Sequence, residues 1–222
     1  MSNSLNHIAF IMDGNNRWGK KNNVQSFNAY KKGSNTLISI SKNLFEKHNL
    51  KYISAFALSK NNLSRSKKLL NNIIKVLDFF LDRALVQEKF NFKIIFKGDL
   101  NFLSLKIRKK ILNLSALNKS SPYTLFIFLN YSGTDDILKT SRLLKNQNFD
   151  FKKFKSYMTS GMTPDPEILV RTGGFQRISD FFLFQLSFTE FFFTKKLWPD
   201  LKFSDLERII IRYQKIERKF GR

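Results

Sequence analysis

The sequence predicts an α/β fold: a single domain over residues 1–222, built on a mostly parallel central β-sheet flanked by helices. Three observations carry this expectation. Short apolar runs of strand length alternate with longer stretches of helical spacing from one end of the chain to the other. The 222 residues are enough to bury a sizeable core, and no internal repeat, linker or compositional break divides them. A hydrophobic content of 42%, with 9 Gly and 4 Pro, describes a packed globule rather than a disordered tail or a collagen-like rod.

The elements follow in order. His7 to Met12 (HIAFIM) is a short, mostly apolar run that stops at Asp13-Gly14-Asn15-Asn16, as a buried strand does when it enters a turn. A loop follows, and then a helix from about Asn28 to His48, where Tyr30, Leu37, Ile40 and Leu44 recur near one face. The alternation continues with a strand over Tyr52 to Leu58, a long helix over Ser66 to Glu88, a strand over Phe92 to Phe96 and a helix over Leu103 to Leu117. Tyr123 to Leu129 (YTLFIFL) gives a further strand, Thr134 to Leu144 a helix, Ile168 to Val170 a strand and Ser204 to Phe220 a terminal helix. Strands joined by crossover helices pair in parallel and are covered on both faces. Ligands in such folds sit at the carboxyl ends of strands, so the loops after Met12, Leu58 and Val170 are where chemistry is expected.

Composition removes several classes of function. With no Cys there is no disulfide framework, thiolate nucleophile or zinc–thiolate site, and His7 and His48 alone leave little for a histidine metal centre. No stretch approaches the ~18 uninterrupted apolar residues of a membrane span; even Phe181 to Leu186 is broken by Gln185. Met1 to His7 lacks a basic region leading into an apolar one, so no export signal is read and a cytoplasmic address is expected. The net charge of +22 would ordinarily suggest a polyanionic partner. The excess is carried by 28 Lys against 11 Arg in a chain also rich in Asn, Ile and Phe, which reads as a solvated lysine surface. The basic residues are scattered in sequence, so no nucleic-acid partner is expected.

Two loops suit phosphate. Asp13-Gly14-Asn15-Asn16-Arg17-Trp18 lies where a strand hands over to a helix: backbone N–H groups point outward, Gly14 permits close approach, and Arg17 can clamp oxygens with its fork. Asp13 repels bare phosphate, so its presence calls for a cation between them, and Mg²⁺ is the obvious bridge. On spacing alone the same residues also describe an Asp-Gly turn with a capping carboxylate. The second loop, Arg171 to Ser179 (RTGGFQRIS), sets Arg171, Arg177 and Ser179 around a Gly pair, with Ser179 expected to start the next helix. A plain Gly-Gly turn with two surface arginines fits it too. Downstream, Phe181 to Phe193 is an aromatic wall interrupted by Glu190, which must be solvated, paired or on a metal. The phenylalanines serve equally as core or as the lining of a ligand tunnel.

Taken together, HIAFIMDGNNRWGKK, LNYSG at Leu129 to Gly133, DPEILVRTGGFQRISDFFLFQLSFTEFFFTKKLWPDL from Asp165 to Leu201, and the terminal Glu217-Arg218-Lys219-Phe220-Gly221 resemble the cis-prenyltransferase family in order and spacing, most nearly its bacterial undecaprenyl diphosphate synthases. The resemblance implies that family's fold and a homodimeric, Mg²⁺-dependent enzyme. Such an enzyme adds isopentenyl diphosphate units to farnesyl diphosphate with cis geometry, and its product, a cell-wall carrier lipid precursor, is delivered to the membrane. By position it makes Asp13 the essential aspartate at the metal and Glu190 a second metal carboxylate. Gly14, Asn15, Asn16, Arg17 and Trp18 would hold the allylic diphosphate, with Ser59 and Arg65 assisting from the loop after the second strand. Arg171, Arg177, Ile178 and Ser179 would hold the isopentenyl diphosphate. Asn62 matches an asparagine assigned to catalysis, but a neutral amide is a very weak base and is given a positioning role.

Several positions depart from the family pattern. Asn16 stands for a second Gly, Ser26 for an Arg and Tyr30 for a His; Asn61 and Leu63 replace a Glu and a Trp; Ser132 and Thr134 replace a Gly and an Arg. Phe175 replaces an acidic residue between the arginines, and Lys219 a final Arg that reaches toward the partner subunit. The alternatives left open are a synthase of shorter products and a non-catalytic partner subunit of the same family.

Overall fold

The computed structural model describes residues 3–63, 67–86 and 90–218. Six strands form one sheet in the order β3-β4-β2-β1-β5-β6, every neighbouring pair parallel. They are β1 (His7–Ile11), β2 (Tyr52–Ser59), β3 (Lys93–Gly98), β4 (Thr124–Tyr131), β5 (Ile168–Arg171) and β6 (Glu190–Phe193). Among the described residues seven α-helices accompany them: α1 (Asn15–Lys21), α2 (Ser26–His48), α3 (Lys67–Val86), α4 (Leu105–Ser115), α5 (Gly133–Leu143), α6 (Phe151–Tyr157) and α7 (Phe203–Gln214). The expected α/β class and parallel sheet are what the structure shows.

Alternation along the strands builds the two halves of the core. Ile8 and Phe10 of β1, Ile53 and Ala55 of β2, and Leu125, Ile127 and Leu129 of β4 face one layer, where they pack with α2, α3, α4 and α7. Ala9, Ile11, Phe56, Phe126 and Phe128 face the other. Because both faces are covered, the strands read as nearly unbroken apolar runs in the sequence.

Several expectations need correction. The stretch after Asp13 is helical from Asn15, because Gly14 at φ 112° turns the chain and the Trp18 amide bonds back to the Gly14 carbonyl at 2.8 Å. Ser179 starts no helix: it lies at φ 53° in a turn, and residues 180–189 cross the second face of the sheet without regular structure. Phe181 and Phe182, fully buried there, stack on each other at 4.0 Å, and Phe181 stacks on Phe56 at 4.4 Å. This end of the aromatic wall is core, not tunnel. The terminal helix ends at Gln214, and Arg65 and Lys219 lie outside the described residues.

Candidate active site

β1 sits between β2 and β5, so the loops that leave the carboxyl ends of β1 and β5 emerge side by side where the strand order changes direction. That is the usual ligand position of an open parallel sheet. The two loops touch. A Cβ on Gly173 would fall 2.4 Å from Arg17 Nη2 and 3.2 Å from the Asp13 side chain, so only glycine, here at φ 85°, lets them close up. Gly14 is constrained in the same way, since a Cβ there would meet Leu197 at 2.8 Å. Backbone bonds lock both turns from behind: Trp198 N to Asp13 O at 3.0 Å, Gly173 N to Lys196 O at 2.7 Å and Gly174 N to Thr194 O at 2.9 Å.

At the junction Asp13 accepts from two arginines, Arg17 Nη2 to Oδ1 at 3.1 Å and Arg171 Nη2 to Oδ2 at 3.0 Å. Arg171, with 4% of its side chain exposed, also donates Nη1 to the Ser179 hydroxyl at 2.8 Å and to the Arg177 carbonyl. A buried guanidinium with both terminal nitrogens engaged is a rigid donor, and its Nε is buried without a partner. Asn15 donates to the Met12 carbonyl at 3.1 Å and leaves its Oδ1 buried without a partner.

These side chains open on a cavity of about 480 Å³. Asp13, Gly14, Asn15, Asn16, Arg17, Ser59, Asn62, Arg171, Arg177 and Ser179 all line it. Trp18 does not: it bonds Asp200 Oδ1 through Nε1 at 2.7 Å. Ile178 packs into the second-face core instead. Leu69, at the start of the long helix whose leucines suit an apolar lining, is on the cavity wall; Tyr30 and Ile73 were not expected there, although the i, i+4 spacing of Leu69 and Ile73 on one helix was a signal for the latter. Phe175, read only as a departure, is also on the wall. A second, apolar pocket continues inward between α2, α3 and the sheet, shares Met12, Asn15, Tyr30, Ala57 and Ile73 with the first, and ends on Phe80, Phe96 and Ile127.

Glu190 is not brought to Asp13. Register pairs it with Ile168, and Ile168 with Ile8, so it starts at the amino end of the sheet while Asp13 follows the carboxyl end. Three residues of strand, about 10 Å, and two strand spacings separate the levels. Within one chain these carboxylates do not grip one ion, and no group of three or more His, Cys, Asp or Glu forms a metal site among the described residues. Asp13 by itself, a carboxylate with 30% of its side chain exposed toward the cavity, is a donor of the kind that would hold a magnesium ion, which commonly needs only one or two protein carboxylates.

Guanidinium clamps above an apolar pocket make a class of site that takes a molecule with an anionic head and a hydrocarbon tail. Comparison with known proteins places the chain within that class. Residues 11–221 match the family model described as putative undecaprenyl diphosphate synthase. A Pyrobaculum aerophilum tritrans,polycis-undecaprenyl-diphosphate synthase (geranylgeranyl-diphosphate specific) is 35% identical over 97% of this chain and 95% of that one. A Micrococcus luteus ditrans,polycis-undecaprenyl-diphosphate synthase ((2E,6E)-farnesyl-diphosphate specific) is 32% identical over 97% and 90%. The crystal structure of lavandulyl diphosphate synthase from Lavandula x intermedia, in complex with dimethylallyl diphosphate, superposes with a TM-score of 0.90 at 27% identity, covering 98% of each chain. The chain belongs to the cis-prenyltransferase family of isoprenyl transferases.

Proposed function

We propose that this chain, working as one domain, condenses isopentenyl diphosphate units onto farnesyl diphosphate with cis geometry and makes undecaprenyl diphosphate, the precursor of the cell-wall carrier lipid. The observation that carries this reading is Asp13 held between Arg17 and Arg171 where two phosphate-suited loops meet above an apolar pocket. The loop of Gly14 to Arg17 takes the allylic diphosphate, and its tail enters the pocket between α2 and α3. Arg171, Arg177 and Ser179 take the isopentenyl diphosphate.

In each cycle the allylic carbon–oxygen bond breaks, a carbon–carbon bond forms to the isopentenyl unit, and that unit loses a proton. The barrier is the charge that builds on the departing pyrophosphate, and preset donors stabilise it without reorganising. A Mg²⁺ ion held by Asp13 would add charge neutralisation at the same oxygens. Arg17 and Arg171 supply fixed guanidinium donors there. Asn62, on the turn after β2 and on the cavity wall, orients substrate, and the released pyrophosphate is the stronger base for the proton. Apolar walls at Met12, Leu69 and Ile73 keep water from the allylic cation. The enzyme is expected to act as a cytoplasmic homodimer that hands its product to the membrane; no helix among the described residues is long and apolar enough to cross one.

One observation favours a shorter product. The inner pocket has about 110 Å³ of space, less than the roughly 150 Å³ that accommodates a benzene molecule, so the farnesyl tail already requires α2 and α3 to separate and each added unit requires them to separate further. Incubation with farnesyl diphosphate, radiolabelled isopentenyl diphosphate and Mg²⁺, followed by chromatography of the products, decides both points. Label in a chain of eleven isoprene units is expected; label only in short chains selects the second reading, and no incorporation refutes both.

A further inference from the structure

Three guanidinium groups surround one aromatic ring at the mouth of the cavity. Phe175 lies in the turn after β5, with the guanidinium carbon of Arg177 at 4.2 Å, of Arg17 at 5.0 Å and of Arg171 at 5.7 Å from its ring centroid. These arginines come from both phosphate loops, and all four side chains line the same cavity. Asp13 is the one carboxylate on that wall among the described residues, and it serves Arg17 and Arg171. Arg177 makes no ion pair among the described residues, so the ring is its nearest charge-stabilising neighbour.

An aromatic face attracts a cation through its quadrupole, without donating an anion to it. A guanidinium resting on a ring keeps its formal charge and the in-plane N–H donors of its fork. A carboxylate at the same place would fill those donors and compete with phosphate oxygens. The ring also restrains side chains that would otherwise lose rotamer freedom when ligand binds, a cost of about 0.5–1.5 kcal/mol for each, or about two- to twelvefold in affinity. Phe175 is 41% exposed, so solvent weakens the attraction and the lower part of that range applies.

We propose that Phe175 is a positioning residue of the diphosphate site: it holds Arg17 and Arg177 in their cavity-facing arrangement without neutralising them, and so sets how tightly the site grips pyrophosphate. The inference rests on the diphosphate reading above and assigns to the ring a task that the arginines alone do not perform. Three consequences separate this role from simple packing. Phe175→Leu keeps an apolar side chain and removes the quadrupole, and pyrophosphate binding weakens about three- to tenfold. Phe175→Trp keeps the quadrupole and retains affinity within about twofold. Phe175→Glu binds more weakly than Phe175→Leu at low salt, and the gap narrows as salt screens the new ion pairs.

The test is titration calorimetry of inorganic pyrophosphate into the full chain in EDTA, which isolates the protein's donors from any metal, with circular dichroism to establish that each variant is folded. On the same proteins, the KM for isopentenyl diphosphate should rise in Phe175→Leu by a factor similar to that in Kd, while kcat moves less. Equal Kd values for wild type and Phe175→Leu overturn the inference, as does a Phe175→Trp protein as weak as Phe175→Leu. A wild type that gives the expected order of affinities yet transfers no isoprene unit supports the inference and removes the proposed reaction. A wild type that binds no pyrophosphate in EDTA overturns the inference alone, because the proposed reaction is decided separately by isoprene transfer in the presence of Mg²⁺.

Discussion

Acidification should destabilise this protein through His7, the first residue of β1. Its ring is fully buried, with Nδ1 2.7 Å from the Pro164 carbonyl and Nε2 2.9 Å from the Ser54 hydroxyl. A carbonyl can only accept, so Nδ1 carries the proton and Nε2 accepts from Ser54, which satisfies the neutral ring. Burial, partly offset by backbone hydrogen bonding, holds the pKa down from 6.5 to about 3. In the unfolded chain the same ring titrates near 6.5, so between those values the unfolded state binds the extra proton. The contribution is complete above pH 6.5 and is lost at about 1.4 kcal/mol per pH unit as pH falls toward 3. From pH 8 to pH 5 the loss is about 2 kcal/mol. With an unfolding entropy of about 2.1 cal/mol/K per residue, a chain of this length should lose about 4 °C in Tm. Thermal melts across that range, on wild type and His7→Asn, isolate the effect because the carboxylates titrate in both. Parallel Tm–pH lines for the two proteins would mean that His7 takes up no extra proton on unfolding.

Other outcomes follow from packing. Phe181→Ala empties a fully buried position stacked between Phe56 and Phe182 and should cost about 3–5 kcal/mol in urea unfolding, with no ligand present. Gly33→Ala places a Cβ 2.0 Å from Asn15 Oδ1, the end of a side chain that lines the cavity, and 3.1 Å from the buried Trp198 ring, a close contact that opposes the gain in helix propensity. Removing a mid-helix glycine contributes about 0.5–1 kcal/mol, so Tm should stay nearly level while the KM for the allylic substrate rises severalfold, read by steady-state kinetics. Phe96→Ala opens the inner end of the apolar pocket and should shift the product distribution toward longer chains on reversed-phase plates.

The parallel sheet was legible because its inner strands are buried on two faces, so the apolar runs at β1, β2 and β4 stand out against amphipathic helices. The two loops that meet at Asp13 were legible for a related reason: they join a strand to a glycine turn, and glycine marks where backbone must approach closely. What escaped the sequence is what only three dimensions bring together. Trp18 sits five residues from Asp13, yet helix α1 carries it away to Asp200. Glu190 shares a short stretch of sequence with Arg171, but parallel pairing of β5 and β6 puts it at the far end of the sheet. Phe175 looked like a lost carboxylate until the two loops closed on it with three arginines. Residues 180–189, rich in Phe and with no periodicity to read, form core without forming an element.

One carboxylate, Asp13, joins the two proposed anion sites. Transfer of radiolabelled isopentenyl diphosphate to farnesyl diphosphate should be compared between wild type and Asp13→Asn, with Mg²⁺ and both substrates saturating. Asp13→Asn keeps the side chain's shape, and a slowing of at least ~10²-fold is expected, as for loss of one preset charge contact at a transition state. An Asp13→Asn enzyme that transfers label as fast as wild type would contradict the assignment of this cavity as the place of reaction.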